Sequence, residues 1–170
     1  MSYRLDRAGI MKYLPHRDPF LMIDEVTEIT SPDGFKDFRN DRSKAGIKVV
    51  AWKNVQATEH WVKGHFPGNP ILPGVLIIET MAQAAAMSVY PFLEADIDRL
   101  AERDFRVILC GVDSARFRRP VVPGEKLRLD VEVIRVRSPL WSFKAKAWVG
   151  DQLAAEADIL ANLYLKESVS

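Results

Sequence analysis

The sequence predicts an α+β fold in which one long helix is covered on one face by an antiparallel sheet. Two observations carry this. The stretch Gly74–Tyr90 has the composition of a long helix, and the last third of the chain alternates apolar and polar residues with a period of two. No internal repeat and no low-complexity tract divides the 170 residues. We therefore read 1–170 as a single domain long enough to bury its own core.

Taken in order, Phe20 to Thr30 reads as a strand, with Leu21, Ile23, Val26 and Ile29 as its apolar members. Ser31 to Gly46 is rich in turn formers and reads as a surface loop. Ile47 to Val55 is strand-like again. Pro73 then precedes the helix of Gly74 to Tyr90, where Met, Ala, Leu and Gln favour helix. Apolar residues lie all round it, so other structure should wrap it. Pro91 ends or kinks it, and Phe92 to Asp104 is amphipathic enough for a short second helix. Pro123-Gly124 marks a turn. Leu127, Leu129, Val131 and Val133 alternate with charged residues until Ile134, where the break predicts a bulge. Phe143 to Val149 and Leu153 to Leu163 continue the alternation on either side of a Gly150-Asp151 turn.

Charge excludes several function classes. There are 24 Lys and Arg against 23 Asp and Glu, a formal charge of +1. A nucleic-acid binder needs a basic footprint that this balance does not supply. The most apolar stretch, Ile71 to Leu93, is broken by Pro73, Glu79, Gln83 and Pro91, so we expect a core helix and no membrane span. The first twenty residues hold no apolar signal core, and the one cysteine, Cys110, forms no intrachain disulfide. We expect a cytoplasmic protein.

Two features point to chemistry. Glu79 is a carboxylate inside an apolar helix, which is costly unless it is paired or functional. His65 lies in Gly64-His65-Phe66-Pro67-Gly68-Asn69-Pro70, followed by Leu72-Pro73-Gly74, a segment stiffened by prolines that leads into the helix. The amides of Gly74 and Val75 open that helix and have no intrahelical acceptor. With a rise of about 1.5 Å per residue, Glu79 stands roughly 6 Å above the Val75 amide. A thioester carbonyl polarised by these amides has an acidic Cα proton. A desolvated carboxyl keeps its proton and a neutral imidazole takes one, which suits acid–base elimination of a 3-hydroxyl. No Gly-rich dinucleotide or Walker loop, no Gly-x-Ser-x-Gly elbow and no His/Cys cluster is present, so we expect no cofactor and no metal.

Four motifs occur in order: Leu14-Pro15-His16-Arg17-Asp18-Pro19-Phe20-Leu21; Gly64-His65-Phe66-Pro67-Gly68 with Pro73-Gly74-Val75-Leu76; Glu79-Thr80-Met81-Ala82-Gln83; and Ala115-Arg116-Phe117-Arg118-Arg119-Pro120-Val121. Together they resemble the FabZ-type 3-hydroxyacyl-[acyl carrier protein] dehydratases of bacterial fatty acid synthesis. The resemblance implies a hotdog fold, with a curved antiparallel sheet wrapped around one long central helix. It implies a homodimer or trimer of dimers whose active sites are shared, with His65 of one subunit facing Glu79 of its partner. It implies that the Gly74 amide holds the thioester carbonyl, with Val75, Phe66, Pro67 and Gln83 lining the substrate site. Glu rather than Asp at position 79 resembles FabZ more than its isomerising relative FabA, which implies dehydration without isomerisation. His16 is expected to anchor the N-terminal segment.

Three departures bear on the acyl tunnel. The 31–46 loop and the 95–106 segment are longer than the family's, and Val107-Ile108-Leu109 replaces common aromatics. Arg116, Arg118 and Arg119 form a basic cluster, read either as a solvated strand face or as a docking patch for acidic acyl carrier protein. Two other readings remain open from the sequence: a hotdog thioesterase using Glu79 as base, and a non-catalytic acyl-thioester binding subunit.

Overall fold

The computed structural model describes residues 3–94 and 104–166. Six strands form one antiparallel sheet in the order β1-β2-β4-β5-β6-β3. They span Glu25–Thr30 (β1), Lys48–Asn54 (β2), Asp104–Phe117 (β3), Lys126–Arg137 (β4), Leu140–Val149 (β5) and Gln152–Lys166 (β6). The central helix α2, Gly74–Ala86, packs against β2, β3, β4, β5 and β6. A sheet that reaches one helix with five strands wraps around it, which is the expected hotdog arrangement.

The period of two becomes burial directly. Along β4 the inward Leu127, Leu129, Val131 and Val133 are at most 3% exposed, while the charged residues between them face out. Each such side chain contributes about 1.5–3 kcal/mol on burial. The predicted bulge is present, since the β4–β5 register shifts between Val133 and Arg135. The outer face carries cross-strand charge pairs, Glu132 opposite Lys144 and Lys146 opposite Glu156. Both predicted turns are present. Gly124 and Gly150 sit at φ of +94° and +56°, where a side chain would be strained.

The helix presents Met81, Ala84 and Ala85 to the sheet, all at most 2% exposed. It is not wrapped on every side, as its sequence implied: Val75 is 75% exposed and Leu76 and Ile78 are half-buried. The sheet covers one face, and the first turn projects beyond it. Nor does Pro91 simply end the helix. The chain tightens into a 3-10 turn at Met87–Val89 and resumes as α3, Tyr90–Leu93, with Pro91 in the first turn where its missing N–H costs nothing. Gly74–Leu93 is long and apolar enough to cross a membrane, but 61% of its most apolar window is buried, as in a core helix.

Three further expectations need correction. The strand expected from Phe20 begins only at Glu25. The preceding Leu21, Met22 and Ile23 are buried, but the Met22 amide donates to the Gln83 side chain at 2.9 Å instead of to a sheet partner. The 31–46 loop is more than surface. It holds a 3-10 turn at Asp41–Lys44 and buries Lys44 to 1% exposure against the rings of Phe38 and Trp141, 4.3 and 4.9 Å from their centroids. Of strand β3 only the end at Arg116 was read as a strand face; its run from Asp104 was not anticipated. The helix expected over Phe92–Asp104 falls, apart from its ends, outside the described residues.

An N-terminal helix α1, Arg7–Tyr13, is capped by Asp6, whose carboxylate accepts from the Gly9 amide at 2.8 Å. Its Tyr13 hydroxyl donates to the Ala86 carbonyl at 3.0 Å, satisfying an acceptor at the end of α2.

Candidate active site

The segment from Gly64 to Pro73 is a closed loop fixed at both ends. The Gly64 and His65 amides donate to Trp61 O at 3.0 and 2.9 Å, and Ile71 N donates to His65 O at 2.8 Å. Phe66 and Asn69 exchange backbone hydrogen bonds around Gly68, whose φ of +76° only glycine adopts freely. Leu72 N donates to Val121 O at 2.7 Å and ties the loop to the segment after β3.

This loop fixes the chemistry of His65. Its Nδ1 lies 2.8 Å from the Ile71 carbonyl, an acceptor only, so Nδ1 carries the hydrogen in that bond. The neutral ring then has its lone pair on Nε2, the form a general base needs. Phe66 stacks on the imidazole at 4.1 Å between centroids and is itself 51% exposed.

The helix begins where the loop ends. Leu76 and Ile77 amides both return to Pro73 O, at 2.9 and 3.1 Å. The amides of Gly74 and Val75 find no protein acceptor among the described residues. They are two aligned donors at the positive end of a helix. At position 74 an added Cβ would stand 2.8 Å from the Phe117 ring, which would have to shift.

One turn later, Glu79 accepts from Gln83 Nε2 at 2.8 Å, through Oε1. Gln83 is 2% exposed and spends its other capacity on the backbone, donating to Phe20 O at 2.8 Å and accepting from Met22 N at 2.9 Å. His16 Nε2 stands 3.4 Å from the same Oε1. Glu79 opens onto a cavity of about 90 Å³ between α2 and the sheet, walled by Ala82, Ala86, Leu109, Phe143 and Ile159. The side chain is 25% exposed. The complete desolvation expected of it from sequence therefore does not hold within one protomer, because the helix's first turns project beyond the sheet.

Within one protomer the structure does not join His65 to Glu79: no hydrogen bond or ion pair links them among the described residues, and His65 does not line the Glu79 cavity. The loop and the helix start, with Phe66, Pro67, Gly74 and Val75, form one surface. Glu79, Gln83 and His16 form another.

Residues 14–158 match a FabA-like domain. The chain belongs to the FabA-like family. Among curated relatives it is 42% identical to a 3-hydroxyacyl-[acyl-carrier-protein] dehydratase FabZ of Desulforamulus reducens, over 92% of this chain and 95% of that one. It is 40% identical to the FabZ of Myxococcus xanthus, over 96% and 95%. The relatives make it a FabZ-type member. A solved structure, the dehydratase heterocomplex ApeI:P from Xenorhabdus doucetiae, matches with a TM-score of 0.68 at 16% identity, covering 91% of this chain and 90% of that one. Thermus thermophilus TTHA0967, a thioesterase superfamily member, matches at 0.55 and 17% identity, over 72% of this chain and 84% of that one. At such identities the likeness shows the hotdog fold alone.

The basic cluster of this FabA-like chain is partly neutralised. Arg118 pairs with Glu156 and Arg119 with Glu125. Arg116 donates to the Ala115 carbonyl and makes no ion pair among the described residues. A larger open cleft, about 470 Å³, is lined by Arg7, Asp24, Lys53 and Glu59. Its charges are spent on each other, Arg7 on Asp24 at 2.8 Å and Lys53 on Glu59 at 2.9 Å. The smaller cavity is therefore the candidate site.

The sequence reading gave His16 an anchoring role and did not anticipate that its Nε2 lies beside Glu79. The signal was present: Pro15 and Pro19 stiffen the segment around His16 just as prolines stiffen the one around His65.

Proposed function

We propose that this FabZ-type chain dehydrates 3-hydroxyacyl-[acyl carrier protein] to the trans-2-enoyl thioester in fatty acid synthesis, in the cytoplasm. His65 Nε2 takes the Cα proton. The Gly74 and Val75 amides hold the thioester oxygen as negative charge builds on it. Glu79 protonates the departing hydroxyl, which leaves as water. The atoms balance: a Cα–H and a Cβ–OH bond break, a C=C bond forms, and water departs.

One observation carries the reading: a base-competent Nε2 on a rigid loop, beside two unclaimed helix-terminal amides, in a chain whose relatives of matching length are named as dehydratases. The Glu79 cavity supports a shared site. About 90 Å³ is well below the roughly 300–1,000 Å³ of pockets that enclose a drug-sized ligand. A second copy bringing its His65 loop over Glu79 completes the pair in a homodimer, alone or within a trimer of dimers. Carrier-protein docking falls to Arg116, Arg118 and Arg119, with Arg116 the least committed to internal contacts.

The test is turnover of 3-hydroxyacyl-carrier substrates, following enoyl absorbance and free thiol together. Wild type should form enoyl product without thiol, and His65→Ala should lose about 10²–10⁴ in kcat. Thiol release would instead make the chain a thioesterase. Tight binding without either product would make it a carrier-binding subunit.

A further inference from the structure

The carboxyl of Glu79 is not symmetric. Gln83 Nε2 donates to Oε1 at 2.8 Å, and His16 Nε2 approaches the same Oε1 at 3.4 Å. Oε2 has no protein partner among the described residues. His16 is held in place: Arg17, beside it, folds its guanidinium back onto the Leu14 and His16 carbonyls at 2.9 and 2.7 Å. Its Nδ1 is buried and has no hydrogen-bond partner among the described residues. A buried N–H without an acceptor costs more than a buried lone pair with no donor, so the ring is best satisfied with its hydrogen on Nε2, pointing at Glu79.

Two contacts on one carboxyl oxygen decide where a proton can sit. Oε1 accepts the Gln83 amide hydrogen and faces the His16 imidazole at ion-pair distance, so the acidic hydrogen belongs on the open Oε2. Apart from His16, Glu79 and Gln83, the cavity lining is apolar, and no other side chain there competes for either oxygen.

We propose that His16 is a positioning residue for Glu79: with Gln83 it holds the Oε1 side of the carboxyl, so that Oε2 alone is presented to the substrate hydroxyl. This rests on the dehydratase reading for its catalytic meaning, but not for its geometry. The 3.4 Å separation is that of the free chain, and such contacts shorten when substrate closes the site.

The experiment compares wild type with His16→Ala and His16→Gln, the second keeping an N–H donor near the place of Nε2. His16→Ala should lower kcat about 10- to 100-fold, the worth of a hydrogen bond to a carboxyl that turns anionic as it gives up its proton, while KM changes less than about threefold. His16→Gln should recover about tenfold of that loss, because it restores the donor. Equal kcat in all three would overturn the proposal, as would a loss confined to KM. Histidine ring nitrogen NMR reads the same contact without turnover. The chain has 3 histidines, so His60→Gln and His65→Gln assign the signals. His16 should show a protonated Nε2 and a bare Nδ1, and Glu79→Gln should shift the His16 ring signals but not those of His60. A His16 ring protonated on Nδ1 alone, or one indifferent to Glu79→Gln, would sink the proposal even if His16→Ala fails to fold. Absence of enoyl product from wild type would defeat the dehydratase reading and leave the NMR result to decide the contact.

Discussion

The acceptor at Ile71 is what gives His65 a defined lone pair on Nε2, and it is a backbone carbonyl, so no substitution elsewhere can remove it without moving the loop. Gly74 shows the same economy of means at the helix start. A methyl at position 74 would meet the Phe117 ring at 2.8 Å. That ring is 53% exposed and can swing outward. Gly74→Ala should therefore change stability by less than about 1 kcal/mol, well under the usual penalty of overpacking a closed core. Turnover should fall further, by about tenfold or more, because ring and methyl now crowd the two donors meant for the thioester oxygen. Melting temperature and kcat/KM of the one variant separate the two effects. At this scale most of the proposed site was legible in the sequence. His65, Glu79 and Gly74 stand out by rigid neighbours or by an apolar setting. The His16 contact does not, because it joins residues 63 positions apart and depends on how the chain before β1 crosses the helix.

Among the elements, legibility followed the regularity of the side-chain alternation. The strands β4, β5 and β6 keep a strict period over most of their length and were read directly. The strand β3 slips register twice against β6, between Leu109 and Gly111 and between Asp113 and Arg116, so its sequence shows an apolar run with no alternation. The 31–46 segment hid its structure differently. Its turn residues read correctly as a loop, but Lys44 gives no outward sign that it is buried. Asp41 clamps this segment to the β4–β5 turn, accepting from the Ser138 hydroxyl at 2.6 Å, from its amide at 2.8 Å and from Lys44 at 3.0 Å. The Ser138 bonds, then Lys44, hold its carboxyl down at about 2 from the ordinary 3.8. A lowered folded value means the clamp is complete above pH 3.8 and fades as pH falls toward about 2. Asp41→Asn should melt below wild type at neutral pH, and the gap should close across that acid window. Melting curves over pH 2 to 7 check this, and a constant gap would show that the carboxylate's charge is irrelevant to the clamp.

For the molecule as a whole, separation of His65 from Glu79 within a protomer makes a sharp demand on assembly. Mixing His65→Ala with Glu79→Ala protein under subunit exchange creates dimers with one intact and one doubly damaged site. Random exchange makes half the dimers mixed, so activity should return to about a quarter of wild type. Two inactive parents that stay inactive after verified exchange would place both groups in one subunit's site. The strand β3 also ends the sheet, and its outer edge carries half-exposed Ile108 and Leu109 beside Cys110. Along the 14 residues of this strand, every second one turns its backbone donor and acceptor away from β6. Such a margin is adhesive toward any extended chain, its own kind included. If the proposed homodimer is parted by a charge-reversing change, the solitary protomer should turn clear solutions turbid before it unfolds.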